Sequence, residues 1–263
     1  MENYLTLKTE TKEHVVTLWL NRPEVHNALN DTMIREISSF FTEIEANRAI
    51  RIVVIRGTGK SFCSGADLAW MKKAFTLSEA ENLKESQELS DMFYMIYNSS
   101  KVVIAVVHGN VFGGGNGLVA VCDLAYGLGN ATFSLSETRI GMAAASITPY
   151  LLRTVHPSDL KELIFTAKSF TGEEAVNYQL INRSFSVPGE MESHLNSLIE
   201  GILSNGRQAI VESKRLINRL TEKVVTAEME QIPNLLARIR VSGEAQEGFS
   251  AFLEKRKPAF KGD

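Results

Sequence analysis

The run Val102-Val103-Ile104-Ala105-Val106-Val107 is closed by the turn His108-Gly109 and followed by Gly113-Gly114-Gly115-Asn116-Gly117. An unbroken β-branched run of this length predicts a strand buried on both faces, as in parallel sheets with elements packed on either side. The glycine stretch then opens a short apolar helical pattern, so strand, turn and helix follow in quick succession. Upstream, the order is Tyr4 to Lys8 and Val15 to Leu20 as strands, Asp31 to Arg48 as an amphipathic helix, Ile52 to Arg56 as a strand and Ser78 to Asn98 as a charged helix. Downstream come strands near Asp123 to Tyr126 and Ala131 to Leu135. This alternation predicts an α/β fold. From about Pro188 strand patterns cease, and Glu190 to Leu203, Gln208 to Leu220, Thr226 to Val241 and Glu244 to Lys255 read as helices. The expected division is therefore a core over 1–188 and a helical region over 189–263.

With 263 residues, 44% of them hydrophobic, the chain can bury a large core. A net charge of -3 supplies no field for drawing nucleic acid, whose affinity comes largely from Lys and Arg neutralising phosphates. No nucleic-acid partner is expected. The apolar runs are too short to span a bilayer, so no membrane partner is expected either. Two cysteines, Cys63 and Cys122, make no disulfide framework, and Met1-Glu2-Asn3-Tyr4 begins no signal or transit pattern. The cytoplasm is the expected compartment. The five histidines show no ligand spacing, so no metal is expected.

Two nucleotide motifs fail on inspection. Gly57-Thr58-Gly59-Lys60-Ser61 resembles the tail of a phosphate-binding loop, but Val54 stands where its first glycine belongs. In Gly113 to Gly117, Leu118 occupies the place of the third glycine of a dinucleotide loop. Glycines there permit either tight packing or close approach of a ligand to bare backbone N–H groups, and both uses fit. Ser61-Phe62-Cys63-Ser64-Gly65-Ala66-Asp67-Leu68 is a second small-residue turn after a strand. Glu137 has two readings. Ser134-Leu135-Ser136-Glu137 fits a capping box that starts a helix, and Glu137 is also the one carboxylate that follows the glycine loop and its two short strands. Asp67 and Asp123 read as turn or strand-end hydrogen-bonding groups. Lys255-Arg256-Lys257 with Lys261 reads as a solvated basic tail or a grip on phosphate.

Five pieces in register extend over nearly the whole chain: Asn21-Arg22-Pro23 with Asn27-Ala28-Leu29, Ser61 to Leu68, Gly109 to Gly117, Ser134 to Gly141, and Phe249 to Phe260. Together they resemble the crotonase (enoyl-CoA hydratase/isomerase) superfamily. The resemblance implies a spiral of ββα turns with a C-terminal helical region that makes trimers or dimers of trimers. It implies an acyl-CoA thioester as substrate, with coenzyme A part of the substrate and no separate cofactor. It makes the N–H groups of Ala66 and Gly114 the donors to the thioester oxygen, where charge collects as an enolate. It gives Asn27, Ala28, Leu29, Ser64, Asp67 and Leu68 to the CoA moiety, Gly117 to the substrate, and Phe252 and Lys255 to the adenine end across a subunit boundary. Met71, with Met142 and Ile147, is a candidate for the acyl pocket or for plain core.

Hydratases with two catalytic glutamates place one at the position of Gly117 and the other at Glu137, so this chain retains one. Its Leu135 to Gly141 segment, Ser146-Ile147-Thr148-Pro149-Tyr150 and Trp70-Met71 look most like bacterial methylglutaconyl-CoA hydratases, which also carry glycine at the first place. The resemblance thus implies reversible hydration of a 2-enoyl-CoA by Glu137. One carboxylate could equally move a proton between α- and γ-carbons, the Δ3,Δ2-enoyl-CoA isomerase reaction. Loss of catalysis would leave an acyl-CoA-binding or RNA-associated scaffold, against whose RNA form the acidic net charge argues.

Overall fold

The structure is a computed structural model, and it describes residues 4–74, 76–221 and 231–259. In chain order the elements are β1 (Leu7–Lys12), β2 (Val15–Leu20), α1 (Asp31–Ala46), β3 (Ile52–Gly57), α2 (Leu68–Ala74), α3 (Glu79–Asn98), β4 (Val102–Val107), β5 (Asn110–Phe112), α4 (Gly114–Ala120), β6 (Leu124–Leu128), β7 (Thr132–Ser134), α5 (Thr148–Leu151), α6 (Pro157–Thr166), β8 (Ser169–Thr171), α7 (Gly172–Asn177), β9 (Arg183–Phe185), α8 (Pro188–Ser204) and α9 (Arg207–Thr221). Two further helices follow, α10 (Gln231–Arg240) and α11 (Gly243–Leu253). The part of the expected Thr226 helix up to 230 lies outside the described residues, as do Phe260 and Lys261 of the C-terminal motif and tail.

A six-stranded sheet runs in the order β1-β2-β3-β4-β6-β9, parallel except for the β1–β2 hairpin. The alternation of side chains across β4 explains its unbroken apolar sequence. Val103, Ala105 and Val107 face the main core, whereas Ile104 and Val106 face a second core shared with Met191 and Leu195 of α8.

A second layer gives the fold its spiral. β5, β7 and β8 form a small sheet, and single-residue parallel bridges extend it from Val111 to Cys63 and from Ala66 to Leu29. Each long strand is thus followed by a short one in the second layer and then by a helix: β2, Leu29, α1; β3, Cys63 to Ala66, α2; β4, β5, α4. This is the ββα repeat, carried by geometry with no fixed sequence period. Helix starts are locally specified, by Asn30 accepting from Met33 N at 2.9 Å and by a Ser78/Glu81 capping box on α3.

The C-terminal helices fold back onto the same chain. α8 covers the sheet, and Arg51 ties down its end by donating to the carbonyls of Leu203 and Asn205 at 2.7 and 2.8 Å. α10 lies along α3, and α11 packs on the 3₁₀ turn Glu137–Ile140. Among the described residues no helix is long and apolar enough to cross a membrane.

Candidate active site

The two small-residue turns meet through the bridge between Leu29 and Ala66. Leu29 N donates to Gly65 O at 2.7 Å and Asp67 N to Leu29 O at 2.8 Å, while Gly113 N donates to Ser134 O at 3.0 Å. These bonds pin the backbone on either side and leave the N–H groups of Ala66 and Gly114 with no protein acceptor among the described residues. Gly114 is the first residue of α4, where an N–H has no intrahelical partner. Gly113 adopts φ +47, a left-handed conformation, and a Cβ there would lie 3.3 Å from Glu137 Oε1. Glycine is therefore needed both for the turn and for the approach of the carboxyl group. Asn116, fully buried, holds the loop by donating to Val111 O and Ser134 O at 3.1 and 2.9 Å.

Glu137 opens the 3₁₀ turn Glu137–Ile140, and the expected capping box does not form. Ser134 is spent in β7, with its hydroxyl donating to Ala167 O at 3.1 Å. The Glu137 carboxyl is thus free of a capping role, and its Oε2 is enclosed without a partner. Burial away from water disfavours the charged form and pushes its pKa up to about 7, countered only by a backbone hydrogen bond at Glu137 itself. A carboxyl in that range can both accept and return a proton near neutrality.

Glu137 stands at a throat between two cavities that share Ala66, Trp70, Met71, Gly114 and Ile140. The inner chamber, about 110 Å³, is lined by apolar groups including Leu29, Phe93, Met142 and Ile147. The outer cleft, about 1260 Å³, is lined by Ala28, Ser64, Asp67, Leu68, Phe252, Arg256 and Lys257 among others.

The expected site residues divide accordingly. Ala66, Gly114, Glu137 and Met71 sit at the throat, Leu29 in the chamber, and Ala28, Ser64, Asp67, Leu68 and Phe252 along the cleft. Phe252 lines the cleft of its own chain. Lys255 lines neither cavity; its neighbours Arg256 and Lys257 do. Asn27 is fully buried and also lines neither, because its amide is spent on the backbone. It donates to Thr58 O and Ser61 O, both at 2.8 Å, and accepts from Arg22 N. Asp67 caps α2 through Ala69 N at 2.8 Å and pairs with Arg22 at 2.8 Å, so it frames the turn that presents Ala66. Asp123 accepts from Val103 N and pairs with Lys214, and it lines neither cavity. Among the described residues no group of three His, Cys, Asp or Glu could hold a metal ion.

Gly117, expected among the substrate-binding residues, is instead packed inside the core. It lines neither cavity, and a Cβ there would come within 2.3 Å of Ile147 Cγ2 and 2.8 Å of Phe93 Cζ. Those two side chains fill the volume that a second carboxylate would need. Phe93, Arg22, Asn116 and the chamber contributions of Leu236, Arg240 and Phe249 from the C-terminal helices lie outside the set of expected site residues. Asn116 carried a signal in its place within the glycine run; Arg240 carried none.

An apolar chamber, an open cleft and unbonded N–H groups beside an enclosed carboxyl define a site suited to an acyl group whose carbonyl oxygen gains negative charge. Comparison with known proteins agrees. The family model for enoyl-CoA hydratase/isomerase matches residues 10–263. A crotonyl-CoA hydratase of Syntrophomonas wolfei is 31% identical over 98% of each chain, and a peroxisomal Δ(3,5)-Δ(2,4)-dienoyl-CoA isomerase of Arabidopsis thaliana is 29% identical over 99% of this chain and 98% of that one. The crystal structure of an enoyl-CoA hydratase from Mycobacterium avium superposes with a TM-score of 0.87 at 28% identity, covering 98% of this chain and 99% of that one. The chain belongs to the enoyl-CoA hydratase/isomerase family, within the crotonase superfamily.

Proposed function

We propose that the protein catalyses the reversible hydration of a 2-enoyl-CoA with a short or branched acyl group, methylglutaconyl-CoA among the candidates. The observation that carries this reading is the enclosed Glu137 carboxyl, poised near neutrality beside the Ala66 and Gly114 N–H groups. Ionised Glu137 takes a proton from water as the water oxygen bonds to the β-carbon. The alkene electrons move to the thioester oxygen, where two fixed N–H donors meet the developing charge; one such donor is typically worth about 2.7–4 kcal/mol. The protonated carboxyl then delivers its proton to the α-carbon, and the thioester carbonyl re-forms. Coenzyme A enters as part of the substrate, and no separate cofactor takes part in the proton transfers.

A second reading, migration of a double bond from the 3- to the 2-position, is favoured by the side chains packed over Gly117, which leave a single carboxyl to shuttle a proton. Turnover of 2-enoyl-CoA and 3-enoyl-CoA in ¹⁸O-labelled water separates the two. Hydration predicts label in the product of the 2-enoyl substrate, and a product free of label from either substrate refutes it.

In the same reading residues 1–188 carry the acid/base centre, and 189–263 cover it and join copies into a trimer or dimer of trimers. Support comes from Leu216, Ile217 and Leu220, exposed apolar residues of α9. Sedimentation at micromolar concentration should give a trimer or hexamer, and a monomer would overturn this assembly.

A further inference from the structure

The wall of the inner chamber holds a cation with no hydrogen-bonded acceptor among the described residues. Arg240, at the end of α10, lines the chamber with its side chain only 9% exposed. Among the described residues no hydrogen-bond acceptor serves its guanidinium, and Nη1 is fully enclosed without a partner. The nearest carboxylate oxygen, Glu85 Oε2, is 4.0 Å away, beyond hydrogen-bond reach, and is itself unpartnered. Glu85 directs its other oxygen to Lys73 at 3.0 Å. The guanidinium lies over the Trp70 ring, 5.0 Å from its centroid. Loss of water pulls the Arg240 pKa down to about 10, which still leaves it charged.

A buried charge without hydrogen bonds is costly, and a guanidinium presents a planar fork of donors that matches a carboxylate. Lys73, Glu85 and Arg240 together carry one net positive charge, which an incoming carboxylate would neutralise. Ser146, whose enclosed hydroxyl also lacks a partner, lines the same chamber and offers a further donor.

We infer that Arg240 is a specificity residue that receives a carboxylate at the distal end of the acyl chain, so the chamber selects enoyl-CoA thioesters of dicarboxylic acids over plain fatty ones. This rests on the acyl-CoA reading of the throat above and names the class of acyl group that the chamber takes. Placed so, the substrate runs from CoA in the cleft, through the thioester between Ala66 and Gly114, to a charged end against Arg240.

Calorimetric titration with glutaryl-CoA and with pentanoyl-CoA tests it without turnover, because both are saturated five-carbon thioesters. The wild-type protein should bind glutaryl-CoA about 30-fold more tightly, the scale of a buried charge-assisted pair. Arg240→Met should erase that preference while leaving pentanoyl-CoA affinity within about threefold, and Arg240→Lys should keep part of it. Equal binding by wild type, or a preference that survives in Arg240→Met, overturns the inference. Should Arg240→Met fail to fold by circular dichroism, Glu85→Gln decides: removing the competing anion should raise the glutaryl-CoA preference, and an unchanged or smaller preference overturns the inference. Turnover is then measured with glutaconyl-CoA and crotonyl-CoA. Hydration of neither, with an intact Arg240-dependent preference, defeats the hydratase reading alone.

Discussion

Raising the pH should destabilise this protein through one group, Glu137, and Glu137→Gln should lack that loss. Burial lifts the carboxyl from an ordinary value of 4.5 to about 7, so the folded state holds the proton more tightly than the unfolded chain. The sign follows from linkage: the contribution is fully present below pH 4.5, declines as the pH rises, and is gone above about 7. At 1.36 kcal/mol per pKa unit the shift is worth about 3 kcal/mol. For a chain of this size that corresponds to a change of about 6–9 °C in Tm at fixed protein concentration. Thermal unfolding of wild type and Glu137→Gln, followed from pH 4.5 to 8.5, isolates the contribution of this carboxyl as the difference between the two curves, because all other titrating groups are shared. The difference should move in favour of the Gln variant from pH 4.5 to about 7 and level off above it. A flat difference would refute the claim that the carboxyl is enclosed and unpaired.

Four further outcomes follow from the same geometry. Gly117→Glu should not create a second catalytic acid: the new side chain collides with Ile147 and Phe93, costing about 3 kcal/mol or more by urea unfolding, with partial recovery in Gly117→Glu/Phe93→Ala. Asn27→Ala should lower stability by about 3 kcal/mol, through loss of three hydrogen bonds and an Ala at φ +56, instead of raising KM alone at full stability. Asp67→Ala should cost about 3 kcal/mol as α2 loses its cap and Arg22 its partner, and kcat should fall with it as the turn presenting Ala66 loosens. The pH profile of kcat/KM should drop below about pH 7 with unit slope, since the reaction begins from ionised Glu137.

The parts of the fold that rest on local chemistry were legible in the sequence. The Val102 to Val107 run became β4 with its bounds unchanged, since continuous β-branched residues suit a strand flanked by two cores. Most helix ends moved by only a residue or two, because Asn30 and Ser78 mark them chemically. The short second-layer strands were less visible: Leu29 and Cys63 join that sheet through one bridge each, too little to leave a period-2 pattern. At the candidate site, local signatures mark the glycine turns and Glu137 as special but leave their roles open, and the expectation for them comes from the family resemblance of the five pieces in register. Asn27 looked like a binding residue and proved to be a backbone clamp, since its partners Thr58 and Ser61 are some thirty residues away. The role of Gly117 depended on Phe93 and Ile147, which only the packing of α3 and the Ile147 loop against α4 brings together. Arg240 was hidden for the same reason: it reaches the chamber only because α10 folds back along α3.

The central claim is that Glu137 alone moves protons on an acyl-CoA held by the Ala66 and Gly114 N–H groups. Its most direct test is Glu137→Gln assayed for hydration of 2-enoyl-CoA, beside titration with a saturated CoA thioester. The predicted result is a fall in kcat of about 10³-fold, within the range for loss of a general acid/base, with thioester affinity changed by less than about threefold. Turnover within about tenfold of wild type at unchanged affinity would contradict it.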